Sequence, residues 1–338
     1  MDAGDSLALV IAKASGAIAA AGGTFNTVLN TIKAVGPYAV AQWDQVSLAQ
    51  AKHNARLAVV ETGKDFLKQE LGNYAEVSKE LLSEYATATP RRKLLIQKDL
   101  EYLDQRVRQI NIGILAIGYT QTNGDNTEKT QSEDQVEVSP HWVDKFNELA
   151  RSHNEGWRAE LLARALATES ASPGTVSPRV LWFLGTLEET MFHAFGALLD
   201  LCSDFGGHLA IPNYQPFNTR HLNSSGGLIP DTIGGLTFAL GELGVLAELL
   251  QAVVQFDKCT CLATYAEKSY AIKSPETTLE IRGILLTVLG KSVAQFCDRK
   301  PNPLGQEILE AFLSSLDKAK YTVRPLVRVG SEWHEESE

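Results

Sequence analysis

Cys259 and Cys261, one residue apart, form the closest pair of metal-capable thiols in a sequence of 338 residues with only four cysteines. A structural zinc site draws its ligands as two close pairs of somewhat wider spacing. Here the remaining thiols, Cys202 and Cys297, stand far off, so the pattern predicts ordinary buried thiols. The seven histidines, His53, His141, His153, His193, His208, His221 and His334, are scattered singly. No Gly-x-Ser-x-Gly elbow is present, and no cysteine has a context that marks a nucleophile. "NSSGGLIPDTIGGL" is glycine-rich but follows no clear strand and lacks the Gly-Lys-Ser/Thr ending that cradles phosphate. It reads, like "FGGH" at Phe205 to His208, as a loop whose backbone needs positive φ. Glu155, Glu160, Glu169, Glu188 and Glu189 read as solvated faces or first-turn charges. Their one chemical alternative is a metal-dependent site using Glu160 or Glu169. No catalytic residue, metal or cofactor is therefore expected.

The elements that hold these residues are mainly helical. Residues 5–35 carry little charge, and "ASGAIAAAGGTFNTVLNTI" is uncharged over a length close to that of a bilayer-crossing helix. Its Ala, Gly, Thr and Asn content instead predicts a small-residue helix packed closely on another, with conditional membrane contact through residues 6–35 as the alternative. A second helix is predicted from Tyr38 to Tyr85, and Thr89-Pro90 marks a turn. In the next helix Ile96, Leu100, Leu103, Val107, Ile110, Ile114 and Ile117 step by four and three, a heptad seam. Leu67, Leu71, Tyr74, Leu81 and Tyr85 offer the partner seam. The two should form a long antiparallel hairpin, a coiled coil, and the same seam could pair between chains in a homo-oligomer.

Residues 120–139, polar and acidic, read as a flexible linker separating an N-terminal region, 1–119, from a second domain, 140–329. That domain opens with Trp142, Phe146 and Ala150 on one helix face. Pro173-Gly174 breaks the following helix, and Ser177-Pro178 reads as the N-cap and first-turn proline of the next. Residues 203–235 read as irregular loops, and "LTFALGELGVLAELLQAVVQF" as a helix. "KSYAIKS" and "LEIRGILLTV" have strand character, "LGKSVAQFC" and "GQEILEAFLSSLDKA" are helical, and "YTVRPLVRV" alternates like an edge strand, together a small winged-helix-like α/β element. Residues 330–338 form an acidic tail.

The formal charge of -10 excludes a surface that is basic overall. From Lys268 to Arg328, however, ten basic residues face six acidic ones. Arg282, Lys291, Arg299, Lys300, Arg324 and Arg328 could form a weak basic patch for nucleic acid or an acidic partner. The few cysteines, and an N-terminus without a basic leader, apolar stretch and cleavage site, point to a reducing cytosol.

The order Trp142-x3-Phe146-x3-Ala150, "LLARALATE", "SPGTVSPRVLWFLGTL" and Phe195, followed by "IRGILLTVLGKSVAQF", resembles a bacterial family known only as a domain of unknown function. Its pattern is a leucine-tryptophan-alanine helix ending in Ala-x-Glu, then Pro-Gly-x-x-Ser, and later Leu-Thr-x-x-Gly. Leu162-Ala163 stands here where tryptophan-alanine is usual. The resemblance covers about residues 140–325 and implies a helical bacterial domain without established catalysis, similar in flavour to the abortive-infection alpha proteins of phage defence. The function expected is non-enzymatic: an interaction, sensing or effector component acting by self-association or partner binding. A membrane-disrupting effector and the carboxylate enzyme above are the alternatives.

Overall fold

The computed structural model describes residues 22–35, 55–122, 138–222, 232–255, 260–275, 278–329 and 332–335. These form a mainly helical chain in two compact units, Met1–Thr186 and Leu187–Glu338.

The first unit is built on two 33-residue helices, α2 (Ala55–Thr87) and α3 (Pro90–Thr122), joined through Ala88 and Thr89. Pro90 starts α3 because the first turn of a helix needs no N–H from that residue. The two helices run antiparallel: Gly63 lies by Ile117, Leu67 by Gly113, and Glu84 bonds Arg92. The first third of the helix predicted from Tyr38, residues 38–54, lies outside the described residues. Helix α1 (Gly22–Val35) lies against both long helices and buries Val28, Leu29, Ile32 and Val35. The approach is close. A Cβ on Gly63 would stand 2.6 Å from Val28 Cγ1, and one on Gly113 2.8 Å from Val35 Cγ1. Small residues on the long helices thus let α1 approach, the role expected of its own small residues.

Helices α4 (Pro140–Ser152), α5 (Gly156–Ala171) and α6 (Pro178–Thr186) complete the unit. α5 packs on α3 and α1, and α4 on α3 and α6. The units therefore divide after Thr186, not at residues 120–139. The reason is that α3 has apolar positions beyond those facing α2, and α4 and α5 bury them.

The second unit contains α7 (Glu189–Leu199), β1 (Ser203–Phe205), β2 (His208–Pro212), a 3-10 turn (Gln215–Phe217) and α8 (Ile233–Glu242). It continues with β3 (Leu246–Gln255), β4 (Thr260–Tyr265), β5 (Lys268–Lys273), β6 (Thr278–Leu286), α9 (Val288–Ala294), α10 (Pro303–Ser315), β7 (Thr322–Val329) and β8 (Glu332–Glu335). The strands form one eight-stranded sheet in the order β3-β6-β2-β1-β4-β5-β7-β8, every pairing antiparallel. α10 covers it, with Phe312 edge-on to Phe205 at 5.5 Å over a core that includes Ile272, Ile281 and Leu309.

Several expectations are corrected here. The region read as loops, 203–235, contains β1, β2 and the 3-10 turn. The helix predicted through "LTFALGELGVLAELLQAVVQF" stops at Glu242, because Gly244 takes φ +73°, open to glycine at little steric cost, and the rest pairs with β6 as a strand. The acidic tail supplies β8, so β7 is no edge strand. In place of a small winged-helix-like element the unit carries a broad antiparallel sheet.

Candidate functional site

Several of the residues weighed for chemistry prove to be engaged in holding structure. Glu169, 1% exposed, accepts the backbone N–H of Gly174 at 2.7 Å through Oε1 and that of Val176 at 2.8 Å through Oε2. Its carboxylate thus holds the Pro-Gly turn against the end of α5. Trp142, stacked on Phe146 at 5.5 Å, donates its indole N–H to the carbonyl of the same Val176. Ser177 Oγ accepts from Val180 N at 3.3 Å, the predicted cap. Ala-x-Glu and Pro-Gly-x-x-Ser are therefore one structural device: a buried carboxyl group held by the backbone donors of the turn it closes. Glu160 Oε1 accepts from Tyr119 and Arg164 on the surface, while Arg158 donates to the carbonyl of Gly185 and lies over the Trp157 ring.

Burial disfavours the reactive thiolate at two of the thiols. Cys202 and Cys261 are buried, and desolvation of the thiolate pushes them up to about 12 and about 11 respectively. Cys297 is half-buried, and Cys259 lies outside the described residues. Among the described residues no group of His, Cys, Asp or Glu could hold a metal ion.

The six basic residues do not form one patch. Arg282 lies on β6 and Arg324 on β7, with four strands between them, a separation of about 24 Å at ~4.8 Å per strand. Arg328 is also on β7. Lys291 Nζ sits 3.1 Å from His208 Nδ1 and donates to the Gly207 carbonyl at 3.4 Å. Arg299 and Lys300 line a polar depression of about 250 Å³ with Asp200, Asp204 and Tyr265. Even there the groups serve the backbone: Asp200 accepts from Lys300 N at 2.6 Å, Asp204 from Gly207 N at 2.6 Å, and Arg299 donates to the Cys202 carbonyl. Burial raises Asp200 above its ordinary value. Sequence proximity exaggerated the patch because antiparallel strands carry neighbouring residues to opposite sides of a wide sheet.

The seven seam residues, by contrast, share one face. Ile96, Leu103, Ile110 and Ile117 are buried, and Leu100, Val107 and Ile114 half-buried. Across from them Leu67 is buried and Leu71, Tyr74, Leu81 and Tyr85 are half-buried.

A second stripe on α3 was not singled out in the sequence. Leu95, Tyr102, Arg106 and Gln109 fall within an arc of about 60° at ~100° per residue. Its inner part is covered: Gln109 is 0% exposed, accepts from Arg106 at 2.6 Å and donates to Asn147 of α4 at 2.9 Å. Its outer part is not, with Leu95 48% and Tyr102 54% exposed. α2 behaves alike: Phe66 is buried, while Val77, eleven residues on and so on the same face, is 43% exposed. Both stripes flank one side of the shared seam, as the Glu84–Arg92 bond shows: Glu84 is two turns beyond Val77, and Arg92 one turn before Leu95. The period of the stripe was available in the sequence; the loss of cover halfway along it was not.

The segment considered for membrane contact is described only from Gly22, and its described part is the buried helix α1. Among the described residues no helix is long and apolar enough to cross a membrane. No curated protein and no solved structure matches the chain. Residues 98–306, more than half of its length, match the family described as "Protein of unknown function (DUF2806)". From the outer third of α3 through the Glu169 turn and most of the sheet unit, this chain belongs to the DUF2806 family.

Proposed function

We propose that the protein is a non-enzymatic interaction component of the bacterial cytosol, and that its contact element is the outer half of the α2–α3 hairpin. In this reading the heptad residues from Ile96 to Ile117 make the hairpin an antiparallel coiled coil, a stiff arm that presents its second face to a partner. The observation that carries it is the stripe that is buried at Gln109 and uncovered at Tyr102 and Leu95. Large apolar side chains repeated on a face that is elsewhere packed are a contact surface awaiting its other half. The fate of the chemical candidates supports it too, since Glu160, Glu169 and the buried thiols are all engaged structurally. A setting in antiviral, abortive-infection-type defence belongs to the same proposal and rests on the sequence likeness alone.

A photo-crosslinking amino acid placed at Tyr102 of the whole chain tests the contact element in cells. A discrete adduct is expected at that position, absent when Leu95→Glu is added and absent for the same probe at exposed Lys318. Adducts that form equally at Lys318, or none at Tyr102, overturn it.

A further inference from the structure

The uncovered side of the hairpin carries a charge pattern as well as apolar residues. Along α2 from Gln69 to Thr87 there are four carboxylates, Glu70, Glu76, Glu80 and Glu84, against one lysine, Lys79. Along α3 from Pro90 to Leu103 there are four basic residues, Arg91, Arg92, Lys93 and Lys98, against two acidic ones, Asp99 and Glu101. One helix of the arm is thus acidic and the other basic.

The antiparallel register fixes which residues share a level. Gly63 by Ile117, Leu67 by Gly113 and Glu84 by Arg92 place Glu80 level with Lys98, and Val77 level with Glu101 and Tyr102. Within one arm Glu80 and Lys98 cannot meet across the seam. On α2 Glu80 sits about 60° outward of Val77, and on α3 Lys98 about 60° outward of Leu95, at ~100° per residue. They occupy the two outer margins of the same uncovered face, and both are exposed.

We infer that a second copy of this chain covers this face, related by a two-fold axis that runs along the hairpin. Such an axis keeps every level and exchanges the helices, so that α2 of one arm lies on the partner's α3. Val77 then meets the partner's Tyr102, and Glu80 meets the partner's Lys98, each contact made twice, as an isologous interface requires. All neighbouring helices are antiparallel, the arrangement of a four-helix bundle. The other face-to-face two-fold, across the hairpin, would set α2 on the partner's α2 and acid on acid, which like-charge repulsion disfavours. The carboxylate-rich helix on one side and the basic helix on the other select a second copy over an unrelated apolar partner. This inference rests on the reading of the hairpin as the contact element.

Sedimentation of the whole chain at micromolar concentration reads the outcome, with helical circular dichroism as the check that each variant folds. The wild type is expected at twice the chain mass of 36.8 kDa. Glu80→Lys alone and Lys98→Glu alone should each raise the dimer dissociation constant by about tenfold, the two ion pairs per dimer turning repulsive. The double variant, with the charges exchanged, should return it to within about twofold of wild type. Tyr102→Glu should leave a folded monomer. A wild-type monomer, a dimer indifferent to Tyr102→Glu, or a double variant no better than the singles overturns the second copy as occupant. A wild-type monomer that still gives a heterologous adduct from the probe at Tyr102 refutes the second copy only, whereas loss of both refutes the contact element itself.

Discussion

The inner and outer halves of α3 have the same spacing and the same two faces, yet they do different work. Near Gln109 both faces are buried, one against α2 and the other under α4, and the buried amide of Gln109 is satisfied by Arg106 and Asn147. Near Tyr102 the α2 face is still occupied by Ile96 and Leu103, but the second face meets water. A helix thus advertises an apolar stripe by its period, while what covers the stripe depends on where other helices end. The inner half is core and answers to the rules of packing. The outer half answers to whatever binds it.

Substitutions along this one helix can break the contrast or sharpen it. Ile110→Ala opens a cavity where the seam is fully packed, and urea unfolding of the whole chain should show a loss of about 3 kcal/mol. A loss under about 1 kcal/mol would mean that the seam is loosely packed even at its base. Glu169→Ala strands the amides of Gly174 and Val176 beside the same base. It should lower stability by about 2 kcal/mol, with Glu169→Gln intermediate because only one of its terminal atoms accepts. Gln109→Ala removes the link between Arg106 and Asn147 and should cost about 1–2 kcal/mol. On the same stripe, Tyr102→Ala should change the unfolding of dilute, unassociated chain by less than about 0.5 kcal/mol. Equal effects at Gln109 and Tyr102 would erase the distinction between the halves.

The smallest effect is expected away from the hairpin, in the sheet unit. Burial holds Cys202 and Cys261 as thiols, with values raised to about 12 and about 11. At pH 8 both remain protonated in the folded chain, and both should ionise more readily once unfolding returns them toward the ordinary value. Alkylation with iodoacetamide, located by mass spectrometry, should spare both in native protein and label them in urea. Fast native labelling of Cys202 would contradict its burial against Leu198 and Arg299.

How far the sequence reached differs between elements for physical reasons. Residues 96–117 were legible because a period of four and three over that length fits a helix and nothing else. The Pro-Gly break was legible because proline and glycine act on their own backbone. β3 was not: "LAELLQAVVQ" is a nearly continuous apolar run that suits a buried helix or a strand equally, and its partner β6 begins more than twenty residues later. The role of Glu169 was hidden as well, since a carboxylate five residues before a glycine is read as solvated until the chain is seen to fold the turn back over it. The basic residues from Arg282 to Arg328 failed as a patch for the converse reason, being close along the chain and distant across the sheet.

By itself the sequence determined the long helices, their apolar seam, the turn between them and the absence of a recognisable catalytic motif, because each depends on residues within a few positions of one another. Only the tertiary structure decided the order of the strands, the burial of Glu169 and the point along α3 where its second face is left open. Those depend on contacts between residues far apart in the chain, and local periodicity carries no information about which distant element arrives to make them.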